Sequence, residues 1–262
     1  MMQTEPTIQN NANGKSSAFQ VGLITIGQSP RTDITGGFRE ILEPYGVKIT
    51  ESGVLDGLTF DQVRDQYWPR STDSVETIYV SRMRDGTEVK LLKSLVQSGV
   101  QQRISELESA CDLIVVLCTG TFKGLRSSVP LIFPDQVIKE CIRELGLTER
   151  LHVIAPTAEQ KPFLTAKWDT VVRNLTFSIS SPYQGFNLVD VANEINASRP
   201  EGIVLDCMGY RKKHKETIFS FFHEGNRQIN DSFSNKIVKG EVPIVLSQEV
   251  VADFVRNQVK KN

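Results

Sequence analysis

One pattern occurs twice in this chain and limits what it can fold into: an apolar run ends in a cysteine, and a glycine follows two residues later. Leu113-Ile-Val-Val-Leu117 leads into Cys118-Thr119-Gly120, and Gly202-Ile-Val-Leu-Asp206 leads into Cys207-Met208-Gly209. A short run rich in β-branched residues reads as a parallel strand buried on both faces. Residues just past the carboxyl end of such a strand lie where open α/β sheets bind ligands. Two thiols, one from each half of the chain, are thus candidates for one shared site. The competing reading is that each cysteine is a small buried hydrophobe, and the doubling argues against it.

The rest of the chain supplies the body for that pair. Val21 to Ile26 reads as a strand, and Gly27-Gln28-Ser29-Pro30-Arg31 as a turn into a helix, with Ser29 as N-cap and Pro30 at the first helical position. Val47 to Leu55 is a second strand, and Thr59 caps a helix through Tyr67. Thr77 to Met83 and Thr87 to Leu92, joined by Asp85-Gly86, have the chemistry of a β-hairpin. Leu95 to Ala110 has helical spacing before the first cysteine strand, and residues 134 to 145 form the next helix. The second half repeats the alternation. Leu151 to Ala155 ends at Pro156-Thr157, a helix follows with Trp168 near its end, Leu175 to Ile179 is a strand, Leu188 to Ala197 a helix, and Gly202 to Asp206 the second cysteine strand. After a polar stretch from Gly225 to Gly240 come a strand at Val242 to Leu246 and a helix at Gln248 to Val259. Alternating strands and helices predict parallel sheets with helices on both faces, and two such units predict a cleft between them.

Composition narrows the function. With 262 residues and a formal net charge of -1, the chain is long enough for two modest domains and has no electrostatic footprint for nucleic acid. No run approaches the length of a membrane span, and the opening MMQTEPTIQNNANGKSS lacks the apolar core of a signal peptide, so a cytoplasmic setting is expected. Residues 1 to 18 read as a disordered polar tail. The four cysteines, Cys111, Cys118, Cys141 and Cys207, are too few for a disulfide scaffold. Histidines at 152, 214 and 223 without a C-x-x-C argue against a structural zinc site. No Walker pattern exists, and Gly36-Gly37 does not complete a dinucleotide fingerprint. No cofactor is expected, and homo-oligomerisation is left open.

The run LITIGQSPR, the Asp-Cys-Met-Gly-Tyr run at 206 to 210 followed by RKKHK, and the closing VPIVLSQEVVADFV together resemble the AroM family, within the aspartate/glutamate racemase superfamily. The resemblance extends from about Phe19 to the C-terminus. It implies two pseudo-symmetric, Rossmann-like α/β domains with an inter-domain cleft lined by one cysteine from each, and it implies that the C-terminal strand and helix return to complete the first. The domains are then 19–133 plus 241–262, and 134–240. Cys118 matches the first cysteine position and Cys207 the second. Amino-acid racemases of the superfamily usually carry Cys-Asn-Thr and Cys-Thr-His; Cys-Thr-Gly and Cys-Met-Gly here depart from both.

Two thiols suffice to racemise a carbon beside a carboxylate, one as base on one face and the other as acid on the opposite face. A helix N-terminus would lower their pKa values. The carbanion needs donors around its carboxylate, and the expected donors are backbone amides and hydroxyls of four turns: Gly27, Gln28, Ser29 and Arg31; Thr119, Gly120 and Thr121; Thr157; and Met208, Gly209 and Tyr210. Arg31 is also a candidate fork for a substrate carboxylate, and the basic run Arg211 to Lys215 a candidate for a second anion. The expected activity is a cofactor-independent racemase, epimerase or isomerase of a small carboxylate. A one-cysteine lyase or decarboxylase, and a non-catalytic carboxylate-binding protein, are the alternatives.

Overall fold

The computed structural model describes residues 18–70, 78–224 and 242–261. The tail expected at 1 to 18 falls outside them except for its last residue, as do Thr77 of the expected hairpin and the whole of the polar stretch at 225 to 240.

Two four-stranded parallel sheets carry the fold. The first contains β1 (Gln20–Thr25), β2 (Lys48–Gly53), β5 (Leu113–Leu117) and β6 (Leu131–Ile132) in the order β2-β1-β5-β6. The second contains β7 (Arg150–Ala155), β8 (Asn174–Ile179), β9 (Gly202–Leu205) and β10 (Ile244–Leu246) in the order β10-β9-β7-β8. Read from the other edge, the second order is β8-β7-β9-β10, which repeats the first strand for strand. Each cysteine strand lies between a central strand and a short edge strand.

That symmetry corrects one expectation. The last strand does not return to the first unit: Ile244, Val245 and Leu246 pair in parallel with Ile203, Val204 and Leu205 of the second sheet. It stands where β6 stands in the first sheet. The helix after it crosses instead. Helix α8 (Ser247–Val259) packs against α1 (Thr32–Leu42) and α4 (Pro134–Glu144).

Strict alternation along the strands builds the layers. Leu113, Val115 and Leu117, with Leu151, Val153, Ala155 and Val204, face one core shared by both sheets, filled by residues of α1, α4, α8 and α5 (Lys161–Trp168). Ile114 and Val116 face away, toward α2 (Phe60–Tyr67), α3 (Lys93–Leu107) and the hairpin of β3 (Ile78–Arg82) and β4 (Glu88–Leu92). Ile203 and Leu205 face α6 (Leu188–Ser198) and α7 (Lys212–Glu224).

Local chemistry sets the element ends. Thr59 accepts from the Gln62 amide while the Gln62 side chain accepts from the Thr59 amide, a capping box that starts α2. Gly86, at φ +102°, turns the hairpin in a conformation that favours glycine. Helix α1 departs from the expected cap. It starts at Thr32 with Arg31 as N-cap and no side-chain capping bond, because the Ser29 hydroxyl is committed to Asp56 at 2.6 Å.

Candidate active site

Thr25 and Leu117 are register partners at the ends of β1 and β5, as Ile154 and Leu205 are in the second sheet. The two cysteine turns follow Leu117 and Leu205 and meet in one cavity. Its lining includes Cys118, Thr119 and Gly120 from the first turn and Asp206, Cys207 and Met208 from the second. Arg31, Tyr183, Gln160 and the hairpin residues Tyr79, Val80 and Ser81 close it, with Ile26, Leu117, Phe163 and Leu164 as the apolar remainder. The lining packs closely, leaving about 20 Å³ of free volume, room for a water, so these side chains must part to admit a larger ligand. Cys111 and Cys141 lie elsewhere and are packed against apolar cores.

The two turns share a local geometry. Gly120 N–H donates to Cys118 Sγ at 3.3 Å, and Gly209 N–H donates to Cys207 Sγ at 3.3 Å. Each glycine lies beneath a tyrosine ring. A Cβ at Gly120 would stand 2.4 Å from Tyr79 Cε1, and one at Gly209 would stand 2.1 Å from the Tyr183 hydroxyl. Among the described residues the amides of Thr119 and Met208, each directly after a cysteine, have no hydrogen-bond acceptor.

Electrostatically the thiols differ from expectation. Burial pushes Cys118 up to about 12, with the nearby Cys207 adding to the rise. Burial pushes Cys207 up to about 11 against the opposing pull of the Gly209 amide, Arg31 and the Tyr183 hydroxyl. Helix dipoles do not overcome this. The Cys118 turn leads through residues 121–130 to β6 rather than into a helix, and α7 begins only at Lys212, five positions past Cys207.

Arg31 is a structural keystone. Its Nε and Nη2 donate to the Asp33 carboxylate at 2.9 and 2.8 Å, its Nη1 to Thr25 Oγ1 and Ser81 Oγ at 3.0 and 3.2 Å, and its Nη2 also to the Tyr183 hydroxyl at 3.0 Å. Although burial works to raise the Asp33 pKa, the guanidinium holds it below the usual carboxylate range. With Arg31 donating to its oxygen, the Tyr183 hydroxyl proton is free to point at Cys207 Sγ, 3.9 Å away.

A buried ion pair joins the turns from behind. Lys167, fully buried, donates to both Asp206 oxygens at 2.8 and 2.9 Å and to the Thr119 carbonyl at 3.0 Å, and Trp168 Nε1 donates to Asp206 at 2.7 Å. The Thr119 hydroxyl donates to the Asp206 carbonyl at 3.2 Å. Sequence reading missed Lys167, Asp206, Asp33 and Tyr183 as members of this cluster. Asp206 carried a signal, an acid at the end of an otherwise apolar strand.

Other expected donors sit outside the lining. The Gly27, Gln28, Ser29 and Arg31 amides are taken by Thr25 Oγ1, the Arg82 carbonyl, Asp56 and Glu51. The Gln28 side chain ties the Leu55 and Leu58 carbonyls to the Arg84 amide. The turn at 27–31 therefore clamps the hairpin, and of its residues only Arg31 reaches the cavity. Thr121 donates to Asp135 at 3.2 Å, Thr157 to Glu159, and Tyr210 to the Ser180 carbonyl at 2.8 Å. In the basic run, His214 accepts from the Arg211 amide at 2.9 Å and stacks on Phe186, and Lys215 pairs with Glu249 at 2.6 Å. Among the described residues no cluster of three His, Cys, Asp or Glu could hold a metal ion, and no helix is long and apolar enough to cross a membrane.

Solved structures share this architecture at low identity. The aspartate racemase of Picrophilus torridus aligns with a TM-score of 0.54 at 12% identity, covering 92% of this chain and 94% of that one. Allantoin racemase from Klebsiella pneumoniae gives 0.52 at 14%, covering 92% and 88%, and unliganded arylmalonate decarboxylase gives 0.53 at 14%, covering 92% of both. No curated protein sequence matches the chain. The family model described as AroM protein matches residues 21–224, most of the chain and both cysteine turns. The chain belongs to the AroM family.

Proposed function

We propose that the protein is a cofactor-independent isomerase of the racemase or epimerase type, moving a proton at the carbon beside the carboxylate of a small acid. The observation that carries this is the placement of Cys118 and Cys207 in one cavity, each with an amide N–H on its sulfur and an uncommitted amide beside it. One sulfur removes the proton as thiolate, leaving an enediolate. The opposite thiol returns a proton to the other face, so the two sulfurs exchange protonation states. The Thr119 and Met208 amides, acceptor-free among the described residues, are suited to meet the carboxylate oxygens as charge develops on them. That two racemases share the fold agrees with this reading.

Forming the Cys207 thiolate at pH 7 from a thiol of pKa about 11 costs about 5 kcal/mol. That cost favours the second reading, decarboxylation. There the departing carbon dioxide leaves the enediolate without any base, and a thiol already protonated delivers the proton. Arylmalonate decarboxylase shares the fold as well.

Solvent deuterium exchange into a panel of small acids, with Cys118→Ser and Cys207→Ser, separates the readings. Under proton transfer by two thiols, each variant abolishes racemisation, while exchange from the face of the intact cysteine persists. Under decarboxylation only one of the two variants is inactive. Full racemisation by the double variant would remove both.

A further inference from the structure

We propose that residues 181–185 form the lid of this site, with Glu88 as the latch that holds Tyr183 down over Cys207. The inference goes beyond either chemistry above, because any ligand must enter before it reacts.

With room for little more than a water, the cavity admits a ligand only when part of its lining leaves. Two tyrosines roof the cysteine turns, Tyr79 over Gly120 and Tyr183 over Gly209, and they are held unequally. Tyr79 belongs to β3, its hydroxyl donates to the Thr121 carbonyl at 3.0 Å, and its ring is flanked by those of Phe122 and Phe163 at 5.5 and 6.2 Å between centroids. The hairpin that carries it is tied to the turn at 27–31, where the Gln28 amide donates to the Arg82 carbonyl at 3.1 Å and Arg84 Nε to the Ser29 carbonyl at 2.7 Å. Tyr183 lies in no helix or strand. Among the described residues no backbone group of 181–185 is bonded to another segment, and a stretch without such bonds opens at low cost.

Both ends of that stretch are pinned. The Ser180 amide donates to the Ala155 carbonyl at 3.0 Å, the Ser180 carbonyl accepts from the Tyr210 hydroxyl at 2.8 Å, and Phe186 stacks on His214 with 5.1 Å between centroids. Gly185, exposed and at φ +98°, stands beside the second pin, where a backbone free of a Cβ can turn. What keeps the segment down is Glu88 of β4. One of its carboxylate oxygens accepts from the Ser181 hydroxyl and the other from Gln184 Nε2 at 2.6 Å, so a single side chain grips the segment at two points. Arg31 adds one bond, to the Tyr183 hydroxyl at 3.0 Å. When the grip is released, Tyr183 lifts from Gly209 and uncovers Cys207 Sγ and the Met208 amide.

Labelling with N-ethylmaleimide at pH 8.5 on the full chain reads this opening without a substrate, each cysteine being followed by peptide mass spectrometry. Glu88→Ala removes both latch bonds and should speed labelling of Cys207 at least about tenfold. Ser181→Ala, which leaves every charge in place, should speed it about threefold. Lys90→Met breaks the neighbouring pair with Glu159, which joins the same strand to the second half without touching 181–185, and should leave the Cys207 rate within about twofold. In all three variants Cys111 and Cys141 should label at the wild-type rate. An unchanged Cys207 rate in both Glu88→Ala and Ser181→Ala overturns the lid. Equal acceleration by Lys90→Met and Glu88→Ala also overturns it, since the hairpin would then part from the second half as a unit. If Cys111 and Cys141 accelerate with Cys207 in Glu88→Ala, that variant is unfolding and Ser181→Ala alone decides: Cys207 faster by itself supports the lid, and no change overturns it.

Discussion

Lys167→Met tests the buried pair that joins the two cysteine turns. The substitution keeps the length of the side chain and removes three bonds, two to the Asp206 carboxylate and one to the Thr119 carbonyl. Both partners of the pair are fully buried, so solvent does not replace the lost ammonium. Asp206 keeps Trp168 Nε1 but is left as a buried charge without a counter-ion. Loss of one partner of such a pair costs about 3–5 kcal/mol, equivalent to a fall of about 6–20 °C in the thermal midpoint of a chain this size. Asp206→Asn, which strands the ammonium instead, should cost a similar amount. In the double variant neither charge remains and an Asn oxygen can still accept from Trp168. Its loss should therefore fall short of the sum of the singles by about 2 kcal/mol or more. Circular dichroism through thermal and urea unfolding gives all four values. Additive losses, or a Lys167→Met cost below about 1 kcal/mol, would refute the claim that the pair holds the turns together.

Three further outcomes follow from the geometry. His152 and His214 are held neutral by burial, each pulled down to about 4; as both are depressed below the unfolded value of about 6.5, the stability they support is present above pH 6.5 and lost as pH falls toward 4, by up to about 3 kcal/mol each. His152→Gln should flatten that slope in a pH series of unfolding midpoints, and an unchanged slope counts against the assignment. Gly36 is exposed within α1 and a Cβ there meets nothing within 4 Å, so Gly36→Ala should stabilise by about 0.5–1 kcal/mol; a lower midpoint would contradict it. If a thiolate of pKa about 11 is the base, kcat/KM for racemisation should rise about tenfold per pH unit from 7 to 10, whereas protonation by a resting thiol leaves the profile flat.

What was legible in the sequence, and what was not, divides along physical lines. Strands in the middle of a sheet declare themselves because both faces are buried: Leu113 to Leu117 and Gly202 to Leu205 are apolar without interruption. The doubled cysteine was legible for the same reason, since it ends both runs. Ile244 to Leu246 read equally well as a strand, but three apolar residues fit the edge of either sheet. Pairing decides it, helped by Ser247 Oγ donating to the Leu205 carbonyl at 2.7 Å. Leu131–Ile132 was invisible because two residues show no period. The turn at 27–31 misled for another reason. Its composition is that of a ligand-binding turn, yet Asp56 and Glu51, 27 and 20 positions from Ser29 and Arg31 respectively, occupy its donors. Tyr183 lies in a loop with no periodicity to flag it, and only the fold brings its hydroxyl to Arg31 and Cys207.

Two copies of one turn have been given unlike surroundings. Both sulfurs accept one amide N–H at 3.3 Å, so the difference comes from what lies beyond the turn. Cys207 has the Arg31 charge and the Tyr183 hydroxyl working to favour its thiolate. For Cys118 the favourable charge is Lys167, opposed by Asp135 and by Cys207 itself. An ionised Cys207 is among the causes that raise the Cys118 pKa, after burial, and so helps hold that thiol protonated. The environment thus leaves both sulfurs protonated at neutral pH and disfavours two thiolates, so that when one sulfur ionises it is Cys207 and Cys118 stays a thiol. Under the proposed proton transfer, Cys207 would then act as the base and Cys118 as the acid, and the roles would reverse through the substrate proton itself.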